Sequence, residues 1–135
     1  MKKIFSKIKP EELIACVIKK NQINNYRQDL SPVQKFLQVS ARKFEKEISV
    51  LPHKHILNNR KINRTQEAWI IIEGKVEFEL FDVDDKLLIT SSLSSGDCLV
   101  LYTGGHSLRV IEKNTIMYEI KNGPYLGIES DKVNI

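Results

Sequence analysis

The stretch Ala68-Trp69-Ile70-Ile71-Ile72-Glu73-Gly74-Lys75-Val76-Glu77-Phe78-Glu79-Leu80 sets two β patterns back to back. Residues 75–80 alternate charged and apolar side chains, the mark of a strand with one face buried and one wet. Residues 68–72 are apolar and β-branched without alternation, which suits a more deeply buried strand. Glu73-Gly74 between them reads as a tight hairpin, with glycine supplying a positive φ.

The same texture continues toward the C-terminus. Asp82-Val83-Asp84-Asp85-Lys86 closes the next turn, and a strand begins over Leu87 to Thr90. Turn signals recur at Ser94-Ser95-Gly96-Asp97, Thr103-Gly104-Gly105, Glu112-Lys113-Asn114 and Asn122-Gly123-Pro124. They leave strands over Cys98 to Tyr102, Ser107 to Ile111 and Ile116 to Ile120. Short strands at this spacing argue for an all-β sandwich or barrel. The density of glycine and turn residues excludes a helical fold. The tail from Leu126 to Ile135 is polar and reads as an arm.

Upstream the texture differs. Residues 1–32 are polar and lysine-rich and read as an N-terminal arm, with one domain over 33–135. Pro10-Glu11-Glu12 ahead of Leu13, Ile14, Val17 and Ile18 suits a short helix, with proline in the first turn and carboxylates near the dipole's positive end. Cys16-Val17-Ile18 suits an extra edge strand equally well, and both readings stay open.

Size and composition bound the function. The 135 residues fit one domain. No stretch approaches the roughly 20 apolar residues of a spanning helix. The early run Leu13–Ile18 is shorter than the roughly 7–15 residues of a secretion signal. A cytoplasmic protein with no membrane partner is expected. Cys16 and Cys98 lack Cys-x-x-Cys spacing and read as free thiols. The net charge of +4 is spread among seventeen acidic residues. Without a basic helix face or a stacking motif it points to an acidic small molecule and away from nucleic acid.

The chemistry-bearing residues fall in the β region. In His53-Lys54-His55, side chains two apart on a strand share a face, so both imidazoles can meet one ion. Glu67 opens the strand that carries Trp69 and Ile71, and His106 shares parity with Leu108 and Val110. Three imidazoles and a carboxylate converging inside a barrel would suit one divalent transition metal ion, Zn, Fe, Mn or Ni. Buried histidines that simply hydrogen-bond within the core are the competing reading. A buried unpaired carboxylate is harder to dismiss, because it costs several kcal/mol, roughly. The segment Ile56–Gln66 is basic and amide-rich. Within and beside it, Arg60, Arg64 and Gln66 are candidate contacts for a carboxylate or phosphate. Trp69 and Tyr102 are candidate pocket walls, with core packing as the alternative for each.

These residues resemble the two motifs of the cupin superfamily. His53-x-His55 is similar to the first half of the first motif. Glu67, six intervening residues and Gly74 are similar to its second half. Gly96 followed by Gly104-Gly105-His106 resembles the second motif. The likeness covers about Phe36 to Tyr125. It departs from the pattern in the eleven residues between His55 and Glu67, a longer run than usual, and in a shortened turn before His106. The resemblance implies a single antiparallel jelly-roll barrel, often dimeric, with His53, His55, Glu67 and His106 as metal ligands. Lys121-Asn122-Gly123-Pro124-Tyr125 is similar to the ending of small cupins from bacterial surface-polysaccharide and sugar-nucleotide pathways.

Three functions follow as expectations. The first is a metal-binding cupin that binds or acts on a small polar anion such as a sugar derivative. The second is a metal-independent sugar-nucleotide ketoisomerase or epimerase, with His53 or His55 as base. The third is a ligand-binding or interaction module without catalysis. No residue is assigned as catalytic. Uncovered strand edges favour a homodimer.

Overall fold

A computed structural model describes residues 1–135. Ten strands follow in order: β1 (Lys2–Phe5), β2 (Leu13–Ile18), β3 (Gln28–Asp29), β4 (Ser40–Ala41), β5 (Glu67–Glu73), β6 (Lys75–Phe81), β7 (Leu87–Ser94), β8 (Cys98–Leu101), β9 (Gly105–Val110) and β10 (Ile116–Lys121). A 3-10 turn at Lys20–Gln22 and one helical turn, α1 (Ile128–Asp131), are the only helical pieces. Neither is long and apolar enough to cross a membrane. All ladders are antiparallel, as expected for an all-β chain.

Five strands form one sheet in the order β1-β2-β8-β5-β10, and three form a second in the order β7-β6-β9. Their inner faces supply the main core: Ile14, Val17, Trp69, Ile71, Leu99 and Leu101 from the first, Val76, Phe78, Leu80 and Leu93 from the second. Alternation in β6 places these side chains, since Val76, Phe78 and Leu80 point inward while the charged residues between them stay partly wet.

A second core lies on the outer face of the large sheet. Cys16, Ile18, Ala68, Val100 and Tyr102 pack there beneath Leu30, with Ile23, Leu37 and Val39 around them. Covered on both faces, β2 buries all six of its residues. Of the two readings of Leu13–Ile18, the strand is realised, and as an internal strand between β1 and β8, not at an edge. The first 32 residues thus supply part of the sheet. Cys16 and Cys98 are free, and burial pushes the Cys98 thiol up to about 12.

Glu73-Gly74 does not form the expected hairpin. β5 pairs with β8 and β10, whereas β6 pairs with β7 and β9, so Gly74 turns a corner between sheets. Both edges of β5 are already taken. Gly74 does carry the positive φ expected of it, +83°. The turn over residues 82–86 joins β6 to β7 as a true hairpin, closed by Asp82 N–H donating to the Lys86 carbonyl at 2.8 Å.

Residues 42–64 carry no strand, and every one of them is exposed. The expectation that His53 and His55 share a strand face fails here. Pro52 and the clustered lysines and asparagines of this run are poor strand formers.

Candidate functional site

Glu67 is the first residue of β5 and its side chain faces inward. Register sets it opposite Lys121, the last residue of β10, and opposite Leu101 on β8. Lys121 Nζ lies 2.9 Å from Glu67 Oε1 and 3.0 Å from Glu119 Oε1. Trp69 shares the inner face two residues along, and its Nε1–H donates to Glu67 Oε2 at 3.3 Å. Across the sandwich, β9 delivers His106, whose Nε2 stands 3.4 Å from the same Oε2. The imidazole meets the indole edge to face, with 5.3 Å between ring centroids.

The turn before β9 needs its glycines. Gly104 has φ +75°, and a Cβ there would collide with the Phe81 carbonyl oxygen. Ile135 at the chain terminus lies against Gly105, so the C-terminal tail returns to this end of the sandwich. Thr65 Oγ1–H donating to Asp131 Oδ1 fastens that tail.

Electrostatics at Glu67 are decided by its partners. Burial pushes the carboxyl up, yet hydrogen bonds from His106 and Lys121, with their charges, outweigh it and hold the group down at about 2. Burial pulls Lys121 down, but Glu67 and Glu119 raise it overall. Glu67 is therefore a fixed anion at neutral pH, clamped between an ammonium and an imidazole. The Glu67 side chain is 6% exposed, whereas that of His106 is 29% exposed. The carboxylate anchors, and the imidazole can be reached from outside.

The expected metal ligands separate into two groups. Glu67 and His106 come together. His53 and His55 stand on the exposed 42–64 segment, where His53 Nδ1 bonds only the Leu51 carbonyl oxygen, 2.9 Å away, and the two rings touch each other edge to face. No group of three or more His, Cys, Asp or Glu side chains is arranged to hold an ion. Moreover, the ammonium of Lys121 takes the edge of Glu67 that a cation would use. The residues as arranged do not fit the divalent ion expected.

The substrate-contact candidates scatter likewise. Trp69 lines the site. Tyr102 lies on the outer face of the sheet, where its hydroxyl donates to the Leu30 carbonyl at 3.0 Å, so it is not a wall of the interior. Gln66 is buried and structural: its Oε1 accepts from Leu37 N–H at 2.9 Å and its amide donates to the Tyr102 carbonyl. Arg60 is exposed without a partner. Arg64 pairs with Glu12 at 3.2 Å and donates to Thr103 Oγ1. A cleft of about 320 Å³ opens there, lined among others by Lys9, Arg64, Asp82, Thr103 and Gly104, beside the turn that carries His106.

A larger cleft of about 670 Å³ lies at the opposite end of the sheets, around Lys19, Lys20, Lys43 and Asp97. Its carboxylate is consumed by Lys20 N–H, Ser94 N–H and the Lys19 ammonium, each at 2.9 Å, which makes Asp97 a turn cap. The Glu67 cluster is the better candidate, because it alone joins a clamped buried carboxylate to a reachable imidazole.

Lys121 is the residue the sequence reading missed as a site member. Its signal was present: Met117, Glu119 and Lys121 share parity, so a lysine ending an inward-facing row was due to meet the interior. In comparison with known proteins, the chain matches no family model, no curated protein and no solved structure.

Proposed function

We propose that this chain is a cupin-type jelly-roll protein that binds a small anionic sugar derivative and shifts a proton on it without a metal, with His106 as the base. The distribution of β5, β8 and β10 to one sheet and β6, β7 and β9 to the other supports the jelly-roll reading. The observation that carries the chemistry is the pair formed by buried Glu67 and half-exposed His106.

A carboxylate beside Nε2 fixes the tautomer with its proton on that nitrogen. Nδ1 is then left as the proton acceptor. The 3.4 Å separation is long for a hydrogen bond, as such contacts often are before substrate arrives. Glu67 also offsets the positive charge the ring gains on taking a proton, the role an orienting carboxylate plays in nucleophile–base pairs. Lys121 keeps Glu67 ionised. Arg64 and Lys9, at the neighbouring cleft, supply cations for a carboxylate or phosphate on the substrate. Proton transfer next to a ketone is the reaction this set serves, as in epimerisation or keto-group isomerisation.

The test is solvent-deuterium incorporation into keto-sugar nucleotides, read by mass spectrometry with and without chelator. Exchange that survives chelation and falls by about 10²- to 10⁴-fold in His106→Asn is the expected result. Exchange unaffected by His106→Asn, or abolished by chelator and restored by a metal, would sink the proposal. Elemental analysis of the wild type in parallel separates the metal reading from a protein that does neither.

A further inference from the structure

The cleft of about 670 Å³ at the end of the sheets away from Glu67 is lined by Lys19, Lys20 and Lys43 with Asn21 and Asn24, and Asp97 is the one acid among its lining residues. These lysines are placed by the fold. Buried Asp97 accepts the Lys20 N–H and the Lys19 ammonium, each at 2.9 Å, so one carboxylate fixes both residues. The stem of Lys20 then lies across Gly96, where an added Cβ would stand 2.6 Å from Lys20 Cδ. Lys43 arrives from a separate segment, anchored by its N–H donating to the Asn25 carbonyl at 3.1 Å. Lys19 neutralises Asp97, whereas Lys20 and Lys43 stand in no ion pair. Three ammoniums against one carboxylate leave the cleft a surplus of two positive charges, which attracts an anion.

An aromatic pair adjoins this charge. Tyr26 and Phe44 follow closely along the chain on the lining residues Asn24 and Lys43, and their rings meet edge to face with centroids 5.4 Å apart. Both belong to neither core, and they are 54% and 51% exposed. The Arg42 guanidinium stands 5.8 Å from the Tyr26 ring centroid. Rings held open to water beside free ammoniums suit a ligand that carries both a planar ring and phosphates. The rings offer a stacking surface, and each lysine acts as a point charge on a phosphoryl oxygen. A simple carboxylate or inorganic phosphate uses only half of this arrangement.

We propose that this cleft binds a nucleoside di- or triphosphate, with Lys20 and Lys43 on the phosphates and Tyr26 and Phe44 against the base. Two free ammoniums delivered by separate segments call for more than one phosphoryl group. The site is distinct from the Glu67–His106 cluster. In the β5–β8 ladder Glu67 pairs with Leu101 at one end, whereas Ile70 pairs with Cys98, the neighbour of Asp97, at the other. The volume lies within the range of small-molecule sites.

The experiment is calorimetric titration of the full chain with ATP, tripolyphosphate and adenosine, all with chelator, alongside 8-azido-ATP photolabelling mapped by mass spectrometry. ATP should bind more tightly than either tripolyphosphate or adenosine, by about tenfold or more. The label should fall within residues 24–27 or 42–44. Lys20→Ala and Lys43→Ala should each weaken ATP and tripolyphosphate by about fivefold or more. Tyr26→Leu should weaken ATP by about fivefold or more and leave tripolyphosphate unchanged. His106→Asn should bind ATP as the wild type does. No binding of ATP at millimolar concentration overturns the proposal, as does a label confined to other parts of the chain. So does ATP affinity that both lysine variants leave untouched, or that His106→Asn abolishes. Equal affinity for ATP and tripolyphosphate also overturns it, since the cleft would then hold any polyanion. The labelling is read on the wild-type chain and requires no variant to fold.

Discussion

Two regions of this molecule hold the same residue types and treat them in opposite ways. Around Glu67, a carboxylate, an imidazole, an ammonium and an indole are fixed by three strands from two sheets. In the 42–64 segment, two imidazoles and several cations stand in water with almost no partner. Side-chain chemistry is equivalent in the two places. Ladder register is what differs. Opposite Glu67, pairing sets Lys121, and β9 brings His106 across the sandwich, whereas no ladder reaches His53 or His55. Perturbed carboxylates arise where neighbours are fixed, and His106, not His53 or His55, stands beside one.

The difference can be broken most forcefully at Glu67. Glu67→Ala leaves the Lys121 ammonium and the Trp69 N–H without their buried acceptor. Loss of one partner of such a pair should cost about 3–5 kcal/mol in urea unfolding. A loss below about 1 kcal/mol would mean that the cluster is no more ordered than the exposed segment.

Acid should act on the same group with a definite sign. The folded-state value of Glu67, about 2, lies below its ordinary 4.5. The unfolded chain therefore takes up this proton more readily. The group's stabilisation is complete above about pH 4.5 and drains away as pH falls toward 2. Its size is no more than about 3 kcal/mol. Glu67→Gln should remove this part of the acid limb in pH-dependent unfolding. An identical acid limb in the variant would show that other carboxylates carry it.

A smaller effect sharpens the role of the indole. Trp69→Phe keeps the ring packed on His106 but deletes the donor to Glu67, and should cost about 1 kcal/mol of stability. In deuterium exchange the same variant should retain most activity, because the ring still seats the imidazole. The smallest effect is expected in the other region. His53→Ala and His55→Ala should change unfolding free energy by less than about 0.5 kcal/mol each. Elemental analysis of these two variants against the wild type checks whether either ring takes part in holding an ion.

Much of the strand plan was legible in the residues. Period-two alternation over Lys75–Leu80 and the turns at 82–86, 94–97 and 103–105 place β6, β8 and β9 within a residue or two of their observed ends, while β7 begins where expected at Leu87 and runs past Thr90 to Ser94. Such signals are local, since each depends on side chains a few positions apart. Leu13–Ile18 was ambiguous for a physical reason. A strand buried on both faces shows no alternation, and a short apolar run reads equally as helix. Glu73-Gly74 was misread because a glycine turn looks the same whether its flanking strands pair with each other or part to different sheets.

Taken by itself, the sequence determined an all-β antiparallel chain, the inward parity of Glu67, Trp69 and His106, and the glycines that its corners require. These follow from periodicity and backbone sterics, which act over a few residues. Only the tertiary structure decided which sheet each strand joins, that Lys121 joins His106 at Glu67 while His53 and His55 do not, and that Tyr102 faces outward. Those outcomes depend on register between segments tens of residues apart, where the burial of whole faces, not any local preference, selects the arrangement.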